Sequence, residues 1–238
     1  MKKILFVLLM IFSMPTFAVT ELKLGYLAAS GYPDDIAAKQ FKGNVEKRSN
    51  GEVKVTLFGG SALGSSSDVL ERVMQGAVDM SLSNQSQLAR FLPMFDLIGT
   101  PLVCEDYAAA DKVIDGDFKA WVEPALLQKN MVYLSDWGSW GFRQVSSSVR
   151  PLIKPVDMQG LKIRAMPTSV NVAFFEAYGS TPRAMPLAEL VTAMKTGEVD
   201  GQDGSIGILY SLKLYESQKY LSILNYSYDS MVHVISRK

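Results

Sequence analysis

Gly160-Leu161-Lys162-Ile163-Arg164-Ala165-Met166-Pro167 is the stretch from which the fold is read. Leu161 and Ile163 alternate with Lys162 and Arg164, the period-two pattern of a strand whose successive side chains point to opposite faces. Pro167 has no N–H to give a ladder, so the strand stops just past Arg164. Taken alone, Lys162 and Arg164 read as a solvated face. The carboxyl end of a strand is also where open α/β sheets collect ligands. A guanidinium held there offers a rigid fork of donors that matches a carboxylate bidentately.

The flanking sequence carries the same architecture. Glu21 to Leu27 alternates as a first strand, and Ile36, Ala37, Phe41 and Val45 then recur at helical spacing, with Asp34 or Asp35 as N-cap. Asn50-Gly51 turns into a second strand, Val53 to Phe58. Ser65-Ser66-Ser67-Asp68 caps a helix that Gly76 ends, and Val78 to Leu82 is a third strand. This rhythm predicts an α/β fold, a parallel or mixed sheet covered by helices. Farther on, a helical stretch from Ala108 to Leu127 is broken near Asp115-Gly116 and at Pro124, and Met131 to Trp137 returns as a strand. Helices are expected over residues 169–178, 187–196 and 208–216, with a last strand from Met231 to Ile235. No repeat, low-complexity tract or long linker divides the chain. Two lobes joined by crossing strands are therefore expected: residues 19–136 with 220–238 in lobe I, and 137–219 in lobe II.

The first residues address the compartment. Lys2 and Lys3 precede an apolar run from Ile4 to Met14, and Thr16-Phe17-Ala18 sets small residues where a signal peptidase cuts. The run is about half of the roughly 20 residues needed to cross a bilayer. It reads as a secretory signal over residues 1–18, cleaved near Ala18, and places the mature chain in the periplasm. No cysteine follows the run to carry a lipid. Without residues 1–18 the chain holds 22 Lys+Arg against 24 Asp+Glu, a net charge of −2. That gives no basic excess to hold nucleic acid.

Cys104 is the single cysteine and His233 the single histidine. One cysteine forms no internal disulfide, and one histidine builds neither a multi-histidine metal site nor, with Cys104 lying in an apolar stretch, a cysteine–histidine nucleophile. No catalytic residues, metal or cofactor are expected. A hydrolase using Asp136, Asp157 or Glu189 is an alternative from another class, although no spacing pairs them.

Three motifs in order, Gly160 to Arg164, Met185-Pro186 with Glu189, and Asp200-Gly201-Gln202, resemble the substrate-binding proteins of tripartite ATP-independent periplasmic (TRAP) transporters. Ser61-Ala62-Leu63-Gly64, Gly76-Ala77-Val78-Asp79 and Lys219-Tyr220-Leu221-Ser222 add lesser matches, and the resemblance runs from about Leu22 to Ile235. It implies a two-lobed periplasmic binding protein that closes on its ligand by a hinge motion. Arg164 would clamp the ligand carboxylate and Arg143, in Gly141-Phe142-Arg143, would assist, with Asn84 completing the site from the other lobe. Gln202 is a further site candidate, and Trp140 would supply an apolar wall. The implied ligand is a small carboxylate, a C4-dicarboxylate or a sugar acid, delivered to TRAP membrane subunits. A sensory receptor of the same fold is the alternative. Two departures stand out. The family's asparagine after Asp-Gly-Gln-Glu is missing from Gly201-Gln202-Asp203-Gly204, and family members run on for several helices where this chain stops at Lys238. The fold is accordingly expected to be C-terminally truncated, with a nonfunctional remnant as a further alternative.

Overall fold

The computed structural model describes residues 19–238, so the signal expected over residues 1–18 lies outside the described residues. Strand β1 (Thr20–Tyr26) pairs in parallel with β2 (Val53–Phe58) and with β3 (Met80–Asn84). Helices α1 (Pro33–Arg48) and α2 (Ser66–Gln75) make the two crossovers. Pro33 opens α1, which moves Asp34 and Asp35 from the expected cap into its first turn. There Asp35 accepts from Lys39 Nζ at 2.7 Å, from the Gly31 N–H and from the Tyr26 hydroxyl, and the Lys39 bond leads in holding its carboxyl down at about 2. Helix α2 has the expected cap, in the form of a capping box: Ser65 Oγ accepts from Asp68 N–H and Asp68 Oδ2 from Ser65 N–H. Gly76 closes the helix at φ 77°, a left-handed conformation that needs no Cβ.

The first sheet has the order β2-β1-β3-β10-β4, with β10 (Tyr228–Ser236) inserted antiparallel between β3 and β4 (Met131–Phe142). Between β3 and β4 run α3 (Gln85–Ala89), α4 (Tyr107–Val113) and α5 (Lys119–Gln128). The expected break at Gly116 is present, with non-helical φ −90° and ψ −134°. The expected break at Pro124 is not. Val122 and Leu126, one turn apart on α5, are fully buried, and their burial outweighs a proline cost of about 3 kcal/mol.

The second sheet has the order β7-β6-β8-β5-β9: β5 (Gln144–Ser147), β6 (Lys162–Ala165), β7 (Thr181–Ala184), β8 (Gly201–Gly204) and β9 (Tyr220–Ser222). Strand β6 is parallel to β7 and β8, and α6 (Ser169–Ala177), α7 (Leu187–Thr196) and α8 (Ile206–Ser211) cover this lobe. Helix α8 is shorter than the expected 208–216, because Lys213 turns left-handed at φ 52° before a 3-10 turn over Leu214–Glu216. At Gly201 a Cβ would stand 2.3 Å from the Ser146 carbonyl oxygen, so only glycine lets β8 approach β5.

The chain passes between the sheets twice, from β4 to β5 across Arg143 and from β9 to β10 across residues 223–227. The sheets part later than the 136/137 and 219/220 boundaries expected. Strand β4 stays on β10 through Phe142, and β9 pairs with β5 in the second sheet. The crossings are bonded to each other, Arg143 N–H to the Ser227 carbonyl at 2.8 Å and Tyr226 N–H to the Arg143 carbonyl at 3.4 Å.

His233, on β10, is sealed in the first lobe. It is 0% exposed, lies edge-on to Phe41 and Trp137 at centroid distances of 4.9 and 4.7 Å, and neither ring nitrogen has a hydrogen-bond partner among the described residues. Burial holds its pKa down to about 4. The folded protein therefore keeps this imidazole neutral where the unfolded chain protonates it. The stability at this site is whole above about pH 6.5 and is lost as the pH falls towards 4, about 3 kcal/mol in all. Urea unfolding at pH 7 and at pH 4 is expected to show a smaller acid loss in His233→Leu than in the parent. Equal losses would assign the acid sensitivity elsewhere.

Candidate functional site

The site grows from the crossing. Arg143 is the single residue between β4 and β5, and its side chain lies in the seam between the sheets. Its Nε donates to Asp203 Oδ2 at 2.6 Å, its Nη2 to the Asp203 carbonyl at 3.2 Å, and its Nη1 to Asp229 Oδ2. Asp203 lies on β8 of the second sheet and Asp229 on β10 of the first, so one guanidinium ties both lobes at the hinge. Tyr226 donates to the same Asp203 oxygen at 2.6 Å. Burial works against the Arg143 charge, but Asp203 and Asp229 outweigh it and keep the guanidinium firmly protonated. For Asp203 burial is likewise overcome, by Arg143 and Arg164, and its carboxyl is held below the usual range. For Asp229 burial wins over Arg143 and pushes the carboxyl up.

Arg164 stands at the end of β6, 3% exposed. Its Nε donates to the Met185 carbonyl at 3.0 Å, which fixes the plane of the fork. Its Nη1 reaches the Asp203 carbonyl at 3.4 Å and Asp203 Oδ1 at 3.6 Å. Burial, with the nearby Arg143 adding to it, makes this charge costly, and Asp203, already shared with Arg143 and Tyr226, offsets it only in part. Nη2 has no hydrogen-bond partner among the described residues. A buried cation with a free donor is suited to an incoming carboxylate.

A cavity of about 250 Å³ opens in front of this fork. Arg164, Arg143, Asn84 and Trp140, all named from sequence, line it together. Asn84 ends β3 on the first lobe and its Nδ2 lies 4.0 Å from Met166 Sδ across the cleft. Trp140 is half-buried, edge-on to Tyr32, and its Nε1 donates to Asp34. Gln202 does not reach the cavity. Its amide nitrogen is held by Ser146 Oγ at 3.3 Å, and its Oε1 lies behind Gly204, 2.8 Å from where a Cβ there would stand.

Sequence reading missed four participants. Asp203 was read only as a departure from the family pattern. Asp229 fell outside the strand expected to begin at Met231, because the adjacent polar pair Asp229-Ser230 breaks the apolar run that signals the strand. Tyr226 was hidden in the crossing. Arg90, just past α3, also lines the cavity, with Nη1 donating to Ser67 Oγ at 2.8 Å. It makes no ion pair among the described residues. The alternative catalytic carboxylates do not assemble: Asp157 caps a turn through Ile153 and Lys154 N–H, Glu189 is exposed on α7, and Asp136 accepts from Ser230 Oγ. Among the described residues no group of three or more His, Cys, Asp and Glu is placed to hold a metal ion.

The same architecture recurs in known proteins. The 2,3-diketo-L-gulonate-binding periplasmic protein YiaO of Escherichia coli is 33% identical over 95% of this chain and 69% of its own length. The sialic acid-binding periplasmic protein SiaP of Vibrio cholerae is 29% identical, covering 92% of this chain and 68% of its own. Among solved structures, the sugar acid binding protein DctPAm of Advenella mimigardefordensis, in complex with galactonate, superposes with a TM-score of 0.86 at 30% identity. That match covers 92% of this chain and 70% of DctPAm. A TRAP periplasmic solute-binding protein of Haemophilus influenzae with bound L-gulonate gives 0.85 at 26% identity, over 92% of this chain and 71% of its own. The family model of DctP, bacterial extracellular solute-binding protein family 7, matches residues 24–238. Two lobes, a doubly crossed hinge and an arginine-walled cleft thus come with a family match along nearly the whole described chain, and the chain belongs to the DctP family of TRAP solute-binding proteins.

Proposed function

We propose that this protein is exported through residues 1–18, captures a small organic acid in the periplasm and delivers it unchanged to the membrane subunits of a TRAP transporter. The observation that carries the ligand class is the buried Arg164 fork, fixed by the Met185 carbonyl with Nη2 open to the cleft. Arg143 does not compete for the ligand, since Asp203 and Asp229 take up its donors, and it acts as the hinge tie. Asn84 from the facing lobe and the Trp140 ring close around the bound acid. Arg90, beside Ser67 and in no ion pair among the described residues, supplies a second polar anchor for the far end of the ligand, either the other carboxylate of a C4-dicarboxylate or the hydroxyls of a sugar acid. The relatives named for 2,3-diketo-L-gulonate and galactonate support the sugar-acid choice.

A ligand at a hundred times its Kd stabilises the folded state by about 2.7 kcal/mol. In a chain of this size that raises the melting midpoint by roughly 5–10 °C. Thermal melts of the purified protein with galactonate, L-gulonate, malate and succinate are expected to show such a rise for one class of acid and none for the neutral sugar galactose. No rise with any acid would reject the assignment.

A further inference from the structure

We infer that the cleft takes up a proton together with its carboxylate ligand, and that Asp34 is the group that binds it. The inference rests on the ligand reading above and on the charges buried around the cleft. Arg143 and Arg164 are 4% and 3% exposed; Asp203 and Asp229 are 0% and Asp34 7% exposed. Among these buried groups two cations already stand against three carboxylates before any ligand enters, while Arg90, the third cation of the cavity wall, is exposed to solvent. An acid bound at Arg164 would make a fourth, in a region from which water is largely removed, and burying an uncompensated charge is costly. One carboxylate must therefore become neutral, and the geometry shows which.

Asp203 is not available, because Arg143, Arg164 and Tyr226 all engage it. Asp229, although burial pushes its carboxyl up as well, keeps the Nη1 bond of Arg143, which favours its charged form. Asp34 has no cation paired with it among the described residues. The groups that face it are few. On α1 itself Asp35 is committed to Lys39, Gly31 and Tyr26, and in the preceding loop stands Tyr32. From β4 comes the Trp140 N–H and from β10 the Asp229 carboxylate. Helix α8 of the other lobe offers only hydroxyls, Ser205 and Ser211, beside Tyr32. Burial accordingly pushes Asp34 up to about 6, against the Trp140 bond and with the Asp229 charge adding to the rise. The same Trp140 ring lines the cavity, so an anion seated there lies one side chain from Asp34 and lifts its proton affinity further.

Linkage fixes the direction. A group that binds its proton more tightly in the complex makes the ligand bind more tightly as the pH falls. Between the free and bound pKa values the limit is about tenfold in Kd per pH unit. Titration calorimetry with galactonate, malate and succinate, each ionised from pH 6.5 to 8, in phosphate and in Tris counts the protons exchanged. Uptake approaching one proton per ligand near pH 7.5 is expected in the parent, and uptake near zero with a flattened pH profile in Asp34→Asn. Binding with no proton uptake, or uptake that persists in the Asn variant, overturns the inference. Carbon NMR titration of the Asp34 carboxyl in the free protein separates the two readings. A midpoint near 4 overturns the proton site whatever the acids do, while a midpoint near 6 with no acid binding overturns the ligand reading alone.

Discussion

Arg164→Ala is expected to weaken binding of the acid about 100- to 10,000-fold. The fork places two charge-assisted hydrogen bonds on one carboxylate, each contributing roughly 1.5–3 kcal/mol, and about 1.4 kcal/mol is a factor of ten. The fold should survive the change, because Asp203 keeps Arg143 and Tyr226 when Arg164 is gone. A cooperative melt near the parent's would separate lost binding from lost structure. Arg164→Lys keeps the charge and forfeits the planar fork, so its affinity should fall between the two. Calorimetric titration decides the matter. An alanine variant that binds within tenfold of the parent would place the carboxylate elsewhere, with Arg90 the next cation in the cavity.

What the sequence disclosed of this site follows physical lines. The cap at Ser65–Asp68 and the helix end at Gly76 are local chemistry, written in adjacent residues, and both are legible in the sequence; the structure adds the reciprocal capping box and the left-handed φ. Arg164 was placed at the right end of the right strand, but alternation set it with Lys162 on a solvated face. The alternation is kept: Lys162 reaches outward to the Gly197 carbonyl. What helps to bury Arg164 is its own sheet, in which β8 on one side supplies Asp203 and the end of β7 on the other supplies the Met185 carbonyl, both from far along the chain. Strands β7 and β9 were missed because Thr181–Ala184 contains Pro182 and Tyr220–Ser222 is three residues long, and each is an edge strand whose partner defines it. Gln202 shared the Asp-Gly-Gln motif but not the cavity, since a strand position fixes a register and the packing of Ser146 against it fixes where the amide goes.

Arg143→Ala is expected to cost about 3–5 kcal/mol of unfolding free energy, a large share of a typical 5–15 kcal/mol. The reason is what the substitution leaves behind. Asp203 and Asp229 are both 0% exposed, and without Arg143 the second has no paired cation among the described residues and the first only Arg164 Nη1 at 3.6 Å. Their charges would then be paid for by protonation. In the variant both carboxyl pKa values rise above those of the unfolded chain, so its stability should recover as the pH falls and drop as the pH rises through the raised values. Adding Asp229→Asn removes one stranded charge and keeps its shape, and should restore part of the loss. Urea titrations of the single and double variants test the chain of reasoning. A single variant that loses under 1 kcal/mol would show that the two carboxylates find water or another donor once the guanidinium is gone. A double variant no more stable than the single one would remove Asp229 from the account. Because the tie joins β8 to β10 across the hinge, the single variant should also bind its acid more weakly while Arg164 is intact, through lobes that no longer meet in one fixed geometry.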